Sequence, residues 1–582
     1  MNTKVARKRG SQKGYALIMV LVLAGASILI YSSAANWTST GTVLNDRNNT
    51  YNGATAAAEA ATEVVLAYMS RDFFNGSFGP GKLDYYSSFV PTNDWAAAYE
   101  FSDGAGTLNA TWVTSSANMV MTNLDSQFTG LYGLAYSCGV RGNARPLGTR
   151  YDMAAAVEQN FQLACIPIFQ FAIFYTLDLE INPGAPMKVT GKVHSNGNLY
   201  SGPPSSLEFS QSVDAAGQIY GHRAPYDPTG GGATPPIYHV PPVPYASSLT
   251  LPISTNNSPS VVQEITELPP FGEDRNSPMG QARYYNQCDL IITTTATNVT
   301  VQTGAWDNFT QVPPDQVATN GNSGYSFIQT TNSFYDGREK KWTQVTDINV
   351  GALTNWMQIS GSNGGYAINN RKMLGIHKQL NSIYVDDRRA NSTKLTAVRV
   401  SNGRHLPSDG LTLATRHPLY VQGHFNAPTT TVGSTNTANT KPASLVGDAI
   451  TVLSGAWSDA NSTKALKDRD PVNTTVNAAF LAGIVQPTNT TGVRHYSGGV
   501  ENFPRFLEDW SSSISFTYNG SMVVMYPSQF ATNYWVQTGT YYNAPSRKWA
   551  FDANFLDYTR LPPATPMVKK LVRGQWQVVK AH

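Results

Sequence analysis

The stretch YALIMVLVLAGASILIY, residues 15–31, is an uninterrupted run of low polarity. Seventeen residues is about the shortest run that crosses the hydrocarbon core of a bilayer, and Ser32 to Ala35 lengthen it. Ahead of it lie five bases and no acid (Lys4, Arg7, Lys8, Arg9, Lys13), and no base follows until Arg47. That asymmetry predicts a single-pass segment with the N-terminus in the cytoplasm and the rest of the chain across the membrane. A secretory signal peptide carries the same charged and apolar regions, with Ser32-Ser33-Ala34-Ala35 as a passable cleavage site. Against that reading, helix-forming sequence resumes as NGATAAAEAATEVVLAYMSRDF, residues 52–73, with Glu59 and Glu63 four apart. The pattern predicts an extended helix from Tyr15 through Met69. A break is expected between Gly41 and Gly53, because each glycine costs a helix about 1 kcal/mol.

The basic leader ending in Lys13-Gly14, the aromatic Tyr15, the apolar helix and the later Ala57-to-Glu63 segment AAEAATE together resemble the N-terminus of the type IV pilin superfamily, in particular PilX-like minor pilins. The resemblance covers about residues 7–73. It implies cleavage by a prepilin peptidase between Gly14 and Tyr15, methylation of the new Tyr15 amine, and assembly with other pilin or pseudopilin subunits at the inner membrane. One position departs from the family. Most pilins carry a glutamate as the fifth residue after the cut, where this chain has Met19. The family picture places that glutamate in the membrane, attracting the free amine of a neighbouring subunit. A buried carboxylate is costly unless paired, so a subunit with no neighbour above it does better without one. By resemblance to the K-type minor pseudopilin, Met19 favours a tip or initiating subunit.

The 582-residue chain is too long for one ordinary domain, and only 14% of its residues are charged. The five leader bases account for the net charge of +3: without them, 36 basic face 38 acidic residues, which argues against a nucleic-acid surface. Cys138, Cys165 and Cys288 show no CxxC spacing, and neither a zinc site nor a disulfide framework follows.

Four regions are expected: a basic leader (1–14), the membrane and pilin-like helix (15–73), a mixed connecting region (74–180), and a β-rich domain (181–582) with an extended Pro-rich surface loop at 234–252. The class is α+β, mainly β. Phe161 to Leu177 is apolar but interrupted by Gln162, Pro167 and Gln170, and reads as a buried helix or a helix passing into a strand. From Met187 short apolar pairs alternate with glycine, as in MKVTGKVHSNGNLY, which suits a β-solenoid of the right-handed β-helix type. The spacing of Gly423, Gly447, Gly483 and Gly520 is too uneven for a strict repeat, and a β-sandwich is the competing fold. FPRFLEDW, residues 503–510, reads as a short amphipathic helix.

No phosphate loop, dinucleotide fingerprint, HExxH helix or GxSxG elbow occurs. His194 beside Ser195, and His417 with His424, are weak metal-ligand candidates without nearby paired carboxylates. Asp386-Asp387 is followed at once by Arg388-Arg389, so local ion pairing is expected there. The balance favours a non-enzymatic filament component without a cofactor, displaying its β domain in the periplasm or at the cell surface. An envelope enzyme acting on polysaccharide and a surface adhesin on a plain signal anchor are the alternatives.

Overall fold

The computed structural model describes residues 15–92, 94–230, 234–253, 256–303, 311–315, 323–358, 380–389, 391–490, 493–511 and 513–581. The basic leader, with Gly14, lies outside the described residues. Tyr15–Phe74 is one continuous helix of 60 residues. The expected break between Gly41 and Gly53 does not occur. In and beside the polar stretch the hydroxyls of Thr38, Thr42, Thr50 and Thr55 donate to carbonyls four residues back, at 2.8–2.9 Å, and so find partners without interrupting the helix. Gly53 is a point of close approach: a Cβ there would sit 2.6 Å from the Tyr99 hydroxyl.

The C-terminal third of the helix buries Ala54, Ala57, Ala58, Ala61, Val65, Leu66, Met69 and Phe73, a spacing of three and four that defines one face. That face packs on an antiparallel sheet. The central strand Tyr132–Pro146 pairs with Tyr99–Ser102, Trp112–Ser115 and Val120–Asn123 on one side and with Ala155–Pro167 on the other. The C-terminal strand Met567–Val579 closes the sheet against Ala155–Pro167, with Met567 opposite Pro167.

The run from Phe161 to Leu177 is therefore not a helix. It is the end of a strand, a single 3-10 turn at Ile168–Gln170, and a second strand, Ile173–Tyr175. Its continuous hydrophobicity comes from burial on both faces. Phe161 and Leu163 meet the helix, while Ala164 and Ile166 meet a second layer that includes Ile291, Tyr384, Val446 and Val523.

That second layer is a parallel stack. Ile173–Tyr175 pairs with Val193–Ser195, which pairs with Val213–Ala215; Leu179–Glu180, Leu199–Tyr200 and Ile219–Tyr220 do the same. Each pairing is in register at an offset of 20 residues, as in Leu199 with Leu179. The Pro-rich loop supplies the outermost partners, Ile237–Tyr238 and Val243–Pro244, edge positions that tolerate proline. A later series approaches from the opposite end. Leu290–Thr294, Ser382–Asp387, Leu411–Ala414, Ala443–Gly447, Ala479–Ile484 and Met522–Pro527 stack in chain order, and the last pairs in parallel with Ile173–Tyr175. Among the described residues the strands at 173–175, 193–195, 213–215 and 243–244, this later series and an antiparallel extension make a twelve-stranded sheet, while Leu179–Glu180, Leu199–Tyr200 and Ile219–Tyr220 form a three-stranded sheet of their own. A seven-stranded sheet that includes Lys341–Asn349, Lys394–Ser401, Leu419–Gln422 and Ile450–Leu453 faces it across the main core. Residues 503–510 form no helix: Arg505–Phe506 is a strand paired with Ile450–Leu453, with Phe506 and Trp510 both in that core. The architecture is thus α+β and mainly β.

Candidate functional site

The first half of the long helix is almost wholly exposed. Tyr15, Leu17, Ile18, Met19, Leu21, Leu23, Leu29 and Trp37 are all exposed, and Asp46 is its first charged residue. Among the described residues this is the one helix long and apolar enough to cross a membrane, and none of its most apolar window is buried. Thirty residues of helix span about 45 Å, enough for a hydrocarbon core and part of both headgroup layers. Met19 lies about one turn in from Tyr15, with 69% of its surface exposed. Both residues sit on the free end, and Gly14 is outside the described residues.

The other half is clamped. Gly142 lies directly beneath the helix, where a Cβ would come within 2.7 Å of the Ala58 carbonyl oxygen and 3.0 Å of the Ala61 Cβ. Glu63 accepts two hydrogen bonds from the Arg573 guanidinium at 2.6 and 2.8 Å and a third from Gln159 Nε2 at 3.0 Å. Arg573 holds the Glu63 carboxyl below the usual carboxylate range, against a smaller opposing effect of burial. At the helix C-terminus, Lys569 Nζ donates to the carbonyls of Phe73 and Phe74, both at 3.2 Å, supplying partners and a positive charge where the helix dipole is negative. Asp72 accepts from the Tyr86 hydroxyl at 3.0 Å. Two of these clamps come from the C-terminal strand, which the sequence alone did not single out; the alternation of Val568 and Val572 with Lys569 and Arg573 was the available signal.

The histidine candidates do not converge. His194 hydrogen-bonds Asn196 at 3.0 Å and stacks on Phe174, and burial pushes it down to about 4. His424 Nδ1 accepts from the Thr475 amide at 3.1 Å. His417 is buried against Phe530. Among the described residues no three His, Cys, Asp or Glu side chains are grouped to hold a metal. Asp386 and Asp387 pair with Arg388 and Arg389. Cys138, Cys165 and Cys288 are free thiols, and burial pushes the first two up to about 11.

No family model matches the sequence, and no curated protein matches it. Among solved structures, the competence-associated pilin ComZ from Thermus thermophilus is similar at a TM-score of 0.31 and 11% identity, over 92% of this chain and 98% of that one.

Proposed function

We propose that this chain is a non-enzymatic, minor-pilin-like or pseudopilin-like subunit, held in the inner membrane with its N-terminus cytoplasmic and displaying its β region on the other side. The observation that carries this reading is the division of one unbroken helix: its C-terminal third is clamped to an antiparallel sheet, while its first half is apolar and fully exposed. Such a surface is stable only in lipid or against other helices, and a filament of similar subunits supplies both in turn. In this reading a prepilin peptidase cuts after Gly14, Tyr15 becomes the methylated N-terminus, and the lack of a carboxylate at Met19 marks a tip or initiating subunit. The parallel stacks, with their 20-residue register, are the faces of a solenoid that forms the displayed part.

Two measurements test it. The N-terminal mass of protein purified from membranes should be that of a methylated Tyr15; an intact Met1 leaves a plain signal anchor. Met19→Glu should raise the share of protein recovered in sheared filaments over that in membranes, because the new carboxylate meets a neighbour's amine. On a plain anchor the same change only buries an unpaired acid, at a cost of up to roughly 3 kcal/mol, and membrane yield falls. No gain in the sheared fraction overturns the tip assignment.

A further inference from the structure

At one corner of the stack, the ends of Ser382–Asp387, Leu411–Ala414 and Met522–Pro527 meet the beginnings of Lys341–Asn349 and Lys394–Ser401. A pocket of about 440 Å³ opens there, a volume within the usual range for small-ligand sites. Its walls carry Lys341, Arg388, Arg389, Lys394 and Arg416. The three arginines are held from behind by carboxylates. Arg388 pairs with Asp386, Arg389 with Asp387 at 2.6 Å, and Arg416 with Asp386 at 3.3 Å and Glu267 at 3.6 Å. Lys341 and Lys394 are exposed at the starts of two paired strands, and among the described residues neither has an ion-pair partner. Five cations against three carboxylates leave an excess of two positive charges, on a chain that is otherwise slightly acidic outside its leader.

A second observation is independent of charge. His417 lines the same pocket at 4% exposure and packs its ring against that of Phe530, so this wall is aromatic. Burial first, and then the neighbouring Arg416, hold it down to about 4, so the ring is neutral and adds no charge to the pocket. The Phe530 side is fixed: the buried Asp448 carboxylate accepts from the backbone amides of Gln529, Phe530 and Ala531, which sets the Phe530 ring 4.9 Å from His417. Amides from Asn391 and Gln529 and hydroxyls from Thr396 and Thr532 complete the lining.

We propose that this corner pocket binds a short anionic saccharide, a sugar carrying carboxylate or phosphate. The exposed lysines and Arg388 take the oxyanions, the amides and hydroxyls of the lining take ring hydroxyls, and Phe530 offers an apolar face to the sugar ring. The volume is several times what a bare phosphate needs. The assignment is independent of how the helix is anchored.

The test uses the full chain in detergent micelles, titrated calorimetrically with trigalacturonate and mannose 6-phosphate, and with maltotriose, inorganic phosphate and a single-stranded oligonucleotide for comparison. At least one of the two anionic sugars should bind saturably, weaken with added salt, and exceed maltotriose and phosphate by about tenfold. The double variant Lys341→Gln/Lys394→Gln changes only exposed side chains, and its fold is checked by circular dichroism and thermal melting. It should lose about tenfold in affinity. Saturable binding of neither anionic sugar, unchanged affinity in the folded double variant, or equal or tighter binding of phosphate or the oligonucleotide overturns the proposal.

Discussion

The sheet that seats the helix and the stack that follows it are both β structure, but they solve the problem of burial differently. The seating sheet uses long antiparallel strands, up to the 15 residues of Tyr132–Pro146, covered by a helix on one face and by the stack on the other. The stack uses strands of two to nine residues in parallel register, and each buries its inward side chains against its neighbours above and below. In the first unit stability concentrates at one interface. In the second it is spread over many equivalent contacts, which lets the chain insert loops at the corners. Their electrostatics differ as well. The seat is clamped by a half-exposed ion pair, Glu63 with Arg573, whereas burial pushes Glu501 and Glu508 of the stack up to about 7.

The largest effect that separates the two units is expected from Phe480→Ala. Phe480 is fully buried in the stack, 4.8 Å from the Tyr518 ring, and its truncation should cost about 3–5 kcal/mol. The stack should then become sensitive to protease while the helix stays in the membrane; loss of membrane retention would mean that the units do not hold separately.

Gly142→Val attacks the other unit. The added side chain meets helix backbone rather than a movable side-chain tip, and the strain should be about 1–3 kcal/mol. Hydrogen exchange should rise along residues 54–73 and stay unchanged in the strands of the stack.

The smallest effect is a contrast in pH response. Glu63 has a lowered folded pKa, so its contribution is complete above about 4.5 and is lost as pH falls through the folded value. Because the pair is half exposed, Glu63→Gln should cost about 0–1 kcal/mol at neutral pH and nothing in acid. Glu501 has a raised folded pKa: between about 4.5 and about 7 the fold retains a proton that the unfolded chain has lost, so stability falls as pH rises. Glu501→Gln should therefore melt progressively higher relative to wild type as pH climbs through that window. Melting curves of both variants that shift in the same direction would erase the contrast.

The long helix was legible because its two signals, an apolar run and an Ala-rich run, are each local. Gly53 misled: it reads as a helix breaker, but what it answers to is the Tyr99 hydroxyl, 46 positions further along the chain. The run from Phe161 to Leu177 was misread because burial on both faces removes the alternation that marks a strand. The 20-residue register is present in the sequence, with Ile173, Val193 and Val213 equivalent and Leu179, Leu199 and Ile219 equivalent. It was hidden because it runs for only three turns before the Pro-rich loop, and the later strands are spaced by loops of unequal length. At the candidate site the apolar free end of the helix was legible, whereas Lys569 and Arg573 were not, since nothing local ties the end of the chain to residues 63 and 73. The corner pocket draws on segments near 341, 388, 416 and 529 that only the stacking brings together.

The pairing of Met567 with Pro167 has a mechanical consequence. The chain leaves the seating sheet and re-enters it at facing residues on adjacent antiparallel strands, so some four hundred residues hang from the sheet as a single hairpin insertion. A pull on that insertion is delivered to both strands at the same end. It would unzip their hydrogen bonds one pair at a time, starting at Pro167 and Met567, instead of shearing them all at once. The tether therefore has a weak end and a strong end. Lys569 and Arg573 are the next charged anchors inward, bonded to the helix itself, and they stand where such a tear would have to stop.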